Sequence, residues 1–304
     1  MKLRNSLAIK VILCCFSLFL IFFLHGIIIN TSKTTFNMQS KNEIIQKDLN
    51  GDGKKDILYV KRDKDKYYIQ INTKDNSYQL DPKKDLKTLG THYDFWPMKV
   101  KLKDINRDNI PEIILQSNEK EKPISHIFSY NKDNFENVFS TRNNLIGFID
   151  TKNNQTPKFL CGNFYNGEMY FKNYMLVNNK LTEFNYNYPK NFLGTDLIKD
   201  FIIFFSSEND DKLKERIVAC INESLITPVF NQKNNGYKLT FQDAYFEDIN
   251  CDSKGKITEI KWLLNFKGVM DGNAENFIFQ LNLKKDKNSN ENEDIYKVYF
   301  FQKK

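Results

Sequence analysis

The chain has 304 residues, with 45 Lys and Arg against 38 Asp and Glu, for a formal charge of +7. An excess this mild, mixed with acids throughout, argues against nucleic acid as a partner. Five cysteines, three of them beyond residue 30 and widely spaced, exclude a disulfide framework: one bridge at most, or buried free thiols.

The first 30 residues read as a signal anchor. Lys2, Arg4 and Lys10 precede an apolar run from Val11 to Ile29, interrupted only by Ser17, His25 and Gly26. As a helix with a rise of about 1.5 Å per residue, that run spans about 28 Å, close to the thickness of a hydrocarbon core. No A-x-A-like cleavage site follows, so an uncleaved transmembrane helix is expected, with secretion after signal cleavage as the alternative. Leu13 before Cys14 is too bulky for a lipobox, and both Cys14 and Cys15 read as apolar residues of the span. The positive flank places the N-terminus in the cytoplasm and everything after Asn30 outside. Three of the seven excess charges sit in that flank, which leaves the exported part near +4. Residues 31–40 read as a linker.

The stretch Asp48-Leu49-Asn50-Gly51-Asp52-Gly53-Lys54-Lys55-Asp56 runs directly into the apolar, β-rich Ile57-Leu58-Tyr59-Val60. Oxygen-bearing side chains fall at positions 1, 3, 5 and 9: Asp48, Asn50, Asp52 and Asp56. Lys54 at position 7 offers its backbone carbonyl. Calcium takes six to eight oxygens at about 2.3–2.6 Å, and alternate side chains of a tight loop converge on one point. Gly51 and Gly53 permit the positive φ angles that so short a loop needs. A metal-free Asx turn is the other reading of the same residues. The pattern returns as Asp104-Ile105-Asn106-Arg107-Asp108-Asn109-Ile110-Pro111-Glu112 before Ile113-Ile114-Leu115. Its candidate ligands are Asp104, Asn106, Asp108 and Glu112 with the Ile110 carbonyl, and Arg107 is expected to point outward. A third copy at 248–256 keeps Asp248, Asn250 and Asp252 but ends on Lys256, whose charge repels a cation; it is expected to be a hairpin turn.

These loops resemble the signature D-x-N-x-D-G-x-x-D of the FG-GAP/VCBS repeat family, which 48–60 matches at every ligand position. The 104–115 copy departs from it at the glycine, where Asn109 stands, and in its last acid. The resemblance implies β-blades of a propeller or a propeller-like array whose loops hold Ca2+.

Residues 41–188 read as short strands, at 57–61, 67–72, 98–102, 113–116, 126–130, 145–150, 158–160, 169–177 and 180–184, separated by polar turns. The two loops lie 56 residues apart, a plausible blade length, and 144–186 would form a third, degenerate blade. The aromatic group Tyr93-Asp94-Phe95-Trp96 is either core or a binding surface. Room for about three blades argues for a partial array rather than a closed ring. A break is expected at 187–190. Helices are expected at 196–205 and 210–223, with Pro228 closing the helical section. Four long strands follow, at 237–246, 257–266, 277–283 and 295–301, with hairpin turns at Gly255 and Asp271-Gly272. Two helices feeding such a meander over 189–304 resemble the nuclear-transport-factor-two-like fold, an α+β domain of helices on a curved antiparallel sheet. That family often holds a pocket, which Trp262, Phe266, Phe279 and Tyr296 would line unless they are plain core.

The expected class is therefore mainly β with an α+β part. No H-E-x-x-H, C-x-x-C, G-x-S-x-G or phosphate-binding glycine loop occurs, and His25, His92 and His126 are the only histidines. No catalytic activity is expected. A composition rich in Lys, Asn, Ile and Phe suggests a bacterial source. Together these features describe a membrane-anchored, extracytoplasmic, calcium-binding interaction or scaffold protein of a bacterial cell surface, with a surface protein or glycan as its further partner. The alternatives are a small-ligand binder or sensor using a C-terminal pocket, and a carboxylate hydrolase of cell-wall glycans.

Overall fold

In the computed structural model the described residues are 44–82, 86–152, 156–207, 210–289 and 292–304. The expected transmembrane segment 1–30 and the linker 31–40 lie outside them, and no described helix is long and apolar enough to cross a membrane.

Two small antiparallel meanders come first. One runs β1 (Ile44–Lys47), β2 (Asp56–Asp63), β3 (Lys66–Asn72) and β4 (Ser77–Gln79). The other runs β5 (Lys99–Lys103), β6 (Glu112–Glu119), β7 (Lys122–Asn131) and β8 (Asn134–Thr141). They are copies of one unit. Lys47 pairs with Asp56 and Lys103 with Glu112, so each candidate loop joins the first two strands of its sheet in the same register. Period-two burial turns Leu58, Val60, Ile69 and Ile71 of the first sheet onto Ile113, Leu115, Phe128 and Phe135 of the second.

The remaining strands form one eight-stranded sheet: β9 (Leu145–Ile149), β10 (Lys158–Tyr165), β11 (Glu168–Val177), β12 (Lys180–Phe184), β13 (Lys238–Cys251), β14 (Ile257–Met270), β15 (Asn273–Lys285) and β16 (Tyr296–Lys303). Its order is β12-β11-β10-β9-β13-β14-β15-β16, and the β9–β13 pair is parallel. A parallel pair needs a long crossover. Here it carries β10–β12 and three helices, α1 (Thr195–Ser206), α2 (Asp211–Cys220) and α3 (Glu223–Lys233). Helix α1 lays Phe201 and Phe205 on the sheet, Phe205 stacking on Phe279 at 4.4 Å between centroids. Trp262, Phe266, Phe279 and Tyr296 are buried among the residues of this core.

Several expectations change. Residues 144–186 are not a third blade: they supply β9–β12, and the eight-stranded sheet takes strands from both sides of the break expected at 187–190. No closed propeller forms among the described residues, because the two small sheets stack face to face instead of fanning around an axis. Among the described residues three α-helices, not two, precede the long meander, and Pro228 lies inside α3 rather than ending it. That helix keeps going because Leu225, Ile226, Val229 and Phe230 pack on the core and outweigh one lost backbone bond.

On the other face of the large sheet β5 lies against β13, and Phe139 of β8 packs on Phe159 of β10 and Tyr174 of β11. Lys99, Lys101 and Lys103 alternate toward β13, where Asp243, Tyr245 and Glu247 face them. Lys99 pairs with Asp243, which also accepts from Trp96 Nε1 at 2.7 Å. Glu247 meets Lys103 at 3.0 Å and also pairs with Lys261. Burial drives the Lys101 ammonium down to about 7, against the pull of Glu247. Burial likewise lowers Lys99.

Candidate metal centre

In the 48–56 loop Leu49 is the buried peg, fully covered in the small-sheet core, while residues 51–55 stand exposed above it. Left-handed φ angles of 79° at Gly51 and Gly53 fold the chain back so that its amides point inward. Asp48 then accepts from the amides of Gly51 at 2.7 Å and Gly53 at 2.8 Å. Asn50 accepts from Asp52 N at 3.1 Å, and Asp52 from Lys54 N at 2.7 Å. Asp56 Oδ2 closes the loop by accepting from Leu49 N at 2.8 Å.

The 104–112 loop repeats this network bond for bond. Asp104 accepts from Arg107 N at 2.6 Å and Asn109 N at 3.0 Å. Asn106 accepts from Asp108 N, Asp108 from Ile110 N, and Glu112 Oε2 from Ile105 N at 2.9 Å. Arg107 and Asn109 take the positive φ angles, 65° and 69°, that glycine holds in the first loop. The Arg107 residue is exposed as expected, and its guanidinium reaches the Asp150 carbonyl at 3.4 Å.

The two loops differ at the last acid. Asp56 is 1% exposed, yet its Oδ1 has no hydrogen-bond partner among the described residues. Burial raises its carboxyl, and the Asp52 and Asp48 carboxylates push the same way, against the Leu49 and Asn50 amides. Glu112 is equally buried, but its Oε1 takes Ser129 Oγ at 3.1 Å and Asn106 Nδ2 at 3.2 Å. Burial still lifts Glu112 to about 7. Sequence reasoning does not find Ser129, because it reaches Glu112 from β7 and nothing local marks it.

Among the described residues no three His, Cys, Asp or Glu side chains are gathered into a ready metal cluster. Asp48 and Asp52 are turned instead onto backbone amides. The donor set of the first loop nevertheless suits a hard cation. It offers oxygen alone, three of its side chains are carboxylates, and one buried oxygen lacks a donor. The second loop suits one less well, since Ser129 and Asn106 already serve its closing acid.

The third copy is a hairpin, as expected. Asp248 and Asn250 lie within β13, and Asp252 accepts from Lys254 N and Lys256 N at 2.9 Å each. Asp248 instead ties down the β9–β10 turn, accepting from Thr151 N and Lys152 N. Of the aromatic group at 93–96, Trp96 is core, while Tyr93 and Phe95 stack at 5.0 Å and stay half-buried. Cys161, Cys220 and Cys251 are free thiols.

Comparison with known proteins adds two similarities. A family model described as an FG-GAP-like repeat matches residues 48–115, which spans both loops. A solved structure titled "Ntf2 like protein involved in plasmid conjugation" aligns over 69% of this chain and 78% of its own, at 7% identity and a TM-score of 0.25. No curated protein matches. Residues 48–115 thus carry an FG-GAP-like repeat, and its two acidic loops are the two loops just described.

Proposed function

We propose that the chain is a membrane-anchored, extracytoplasmic interaction protein whose first loop binds Ca2+ to stabilise an FG-GAP/VCBS-type repeat unit. The observation that carries this reading is the buried Asp56 Oδ1, which has no hydrogen-bond donor among the described residues and whose carboxyl is pushed up by the Asp52 and Asp48 carboxylates of the same loop. A buried, unpaired carboxylate oxygen is costly, and a cation offsets that cost for all three acids together. Asp48, Asn50, Asp52 and Asp56, with the Lys54 carbonyl, would hold the ion. Asp104, Asn106, Asp108 and Glu112, with the Ile110 carbonyl, would form a weaker second site, since Ser129 and Asn106 must give way there. The ion supplies charge compensation and rigidity; the reading has no catalytic step. The anchoring part rests on the apolar run 11–29 and its positive flank.

Melting curves of the full chain in detergent, in chelator and in calcium, test the reading. Binding the folded state alone adds RT ln(1 + [L]/Kd), about 0.4–1.4 kcal/mol at 1 mM for a Kd of about 10⁻³–10⁻⁴ M. Magnesium should stabilise less, because it demands octahedral geometry and keeps its waters. Asp52→Ala should remove most of the gain and Asp252→Ala none. Equal melting temperatures in chelator and calcium would reduce both loops to turns. External protease should remove the folded part from intact cells while the anchor stays in the membrane; recovery of a soluble form starting near residues 30–33 would show a cleaved signal instead.

A further inference from the structure

We infer that the second loop is a clamp on the first, with Ile110 as the positioning residue, so that the calcium affinity of the 48–56 loop is set in part by the 104–112 loop. The inference rests on the proposed cation site and adds its regulation. A Cβ placed on Gly51 would meet Ile110 Cδ1 at 2.7 Å and Cγ1 at 2.9 Å. The isoleucine side chain therefore sits directly over the Gly51 α-carbon, at the left-handed bend whose amide holds Asp48. Residues 51–55 are otherwise exposed, so this contact bears on the part of the loop least held by the core.

The clamp has its closing acid and Asp104 hydrogen-bonded without an ion. Glu112 has its carboxylate served by Ile105 N, Ser129 Oγ and Asn106 Nδ2, and Asp104 has two amides of its own. Arg107 also ties the loop to the Asp150 carbonyl, at 3.4 Å. Both loops are also pinned at the base, Leu49 within the shared small-sheet core and Ile105 buried beside Glu112. A preorganised neighbour that restricts the open forms of the first loop lowers the entropy cost of closing it on a ligand. Coupling of this kind is reciprocal, so an ion in the first loop must in turn steady the second.

The test is amide hydrogen exchange of the full chain in detergent, read at Gly51, Gly53 and Lys54, with and without calcium. In Ile110→Ala without calcium those three amides should exchange about fivefold faster or more, corresponding to a coupling at the low end of the usual range. Amides of β13–β15 should not change. The calcium concentration that half-protects residues 51–54 should rise by the same factor, and Ile110→Val, which keeps the γ carbons but loses the Cδ1 nearest Gly51, should fall between Ile110→Ala and wild type in both measurements. Unchanged exchange at 51–54 in Ile110→Ala, or acceleration spread equally over the large sheet, overturns the clamp. If calcium protects nothing in the wild-type chain, the cation site falls, and the calcium-free comparison still decides the clamp.

Discussion

Replacing Lys99 by Met tests how the small sheets are fixed to the large one. The Lys99 and Asp243 side chains are 7% and 4% exposed, so the pair lies out of water. In Lys99→Met the Asp243 carboxylate is left, among the described residues, with the neutral donors Trp96 Nε1 at 2.7 Å and Asn265 Nδ2 at 3.5 Å. Removing one partner of a buried ion pair costs about 3–5 kcal/mol, because the other charge stays behind in a poor solvent. For a chain of this size that is a fall in melting temperature of about 6–20 °C. Lys99→Met/Asp243→Asn removes the stranded charge, keeps an acceptor for the indole, and should regain at least half of the loss. Urea unfolding followed by far-UV dichroism and tryptophan fluorescence measures both variants. A Lys99→Met chain within about 1 kcal/mol of wild type, or a double variant no better than the single, would refute a buried, stability-bearing pair.

Two further outcomes follow from the same packing. His126 is fully buried, donates from Nε2 to the Thr88 carbonyl at 3.0 Å, and is pressed by burial to about 4. Its folded value lies below the unfolded one near 6.5, so the unfolded chain takes up the proton first and stability falls as pH drops through 6.5 toward 4. His126 contributes a loss of about 2 kcal/mol between pH 7 and pH 5. Glu112 opposes it over the same range, since its raised value makes stability rise as pH falls. The change in stability from pH 7 to pH 5 should therefore be about 2 kcal/mol more favourable in His126→Gln than in wild type, and an equal change in both would contradict the assignment. Gly147→Ala would set a Cβ 2.3 Å from a Phe246 ring carbon and should cost about 1–3 kcal/mol, partly recovered with Phe246→Leu; a neutral Gly147→Ala would show that the ring has room to move.

What could be read from the chain is what is local. Alternating oxygen ligands before an apolar run located both loops together with β2 and β6, which follow them, and the alternation Ile260, Trp262, Leu264, Phe266 and Phe277, Phe279, Leu281, Leu283 located β14 and β15. The edge strands β1, β4 and β8 escape notice because their residues are polar or half-exposed: β8 alternates Asn134, Glu136 and Val138 with Phe135, Asn137 and Phe139. The parallel β9–β13 pair joins residues about a hundred positions apart, and no local pattern announces it. Lys99-Val100-Lys101-Leu102-Lys103 reads as a strand with one wet face. That face is instead packed on Asp243 and Glu247, a complementary spacing visible only once the two strands are known to meet. The difference between the two loops is also non-local, since it turns on Ser129 of the next strand and on Ile110 over Gly51.

The central claim is that Asp56, buried and one donor short, completes a calcium site in the first loop. Titration calorimetry of the full chain in detergent against calcium chloride tests it most directly. The account predicts a binding isotherm in the 10⁻⁴–10⁻³ M range that Asp56→Asn abolishes at the first loop and Asp252→Ala leaves intact. No binding at millimolar calcium, or an Asp56→Asn chain that titrates like wild type, would contradict it.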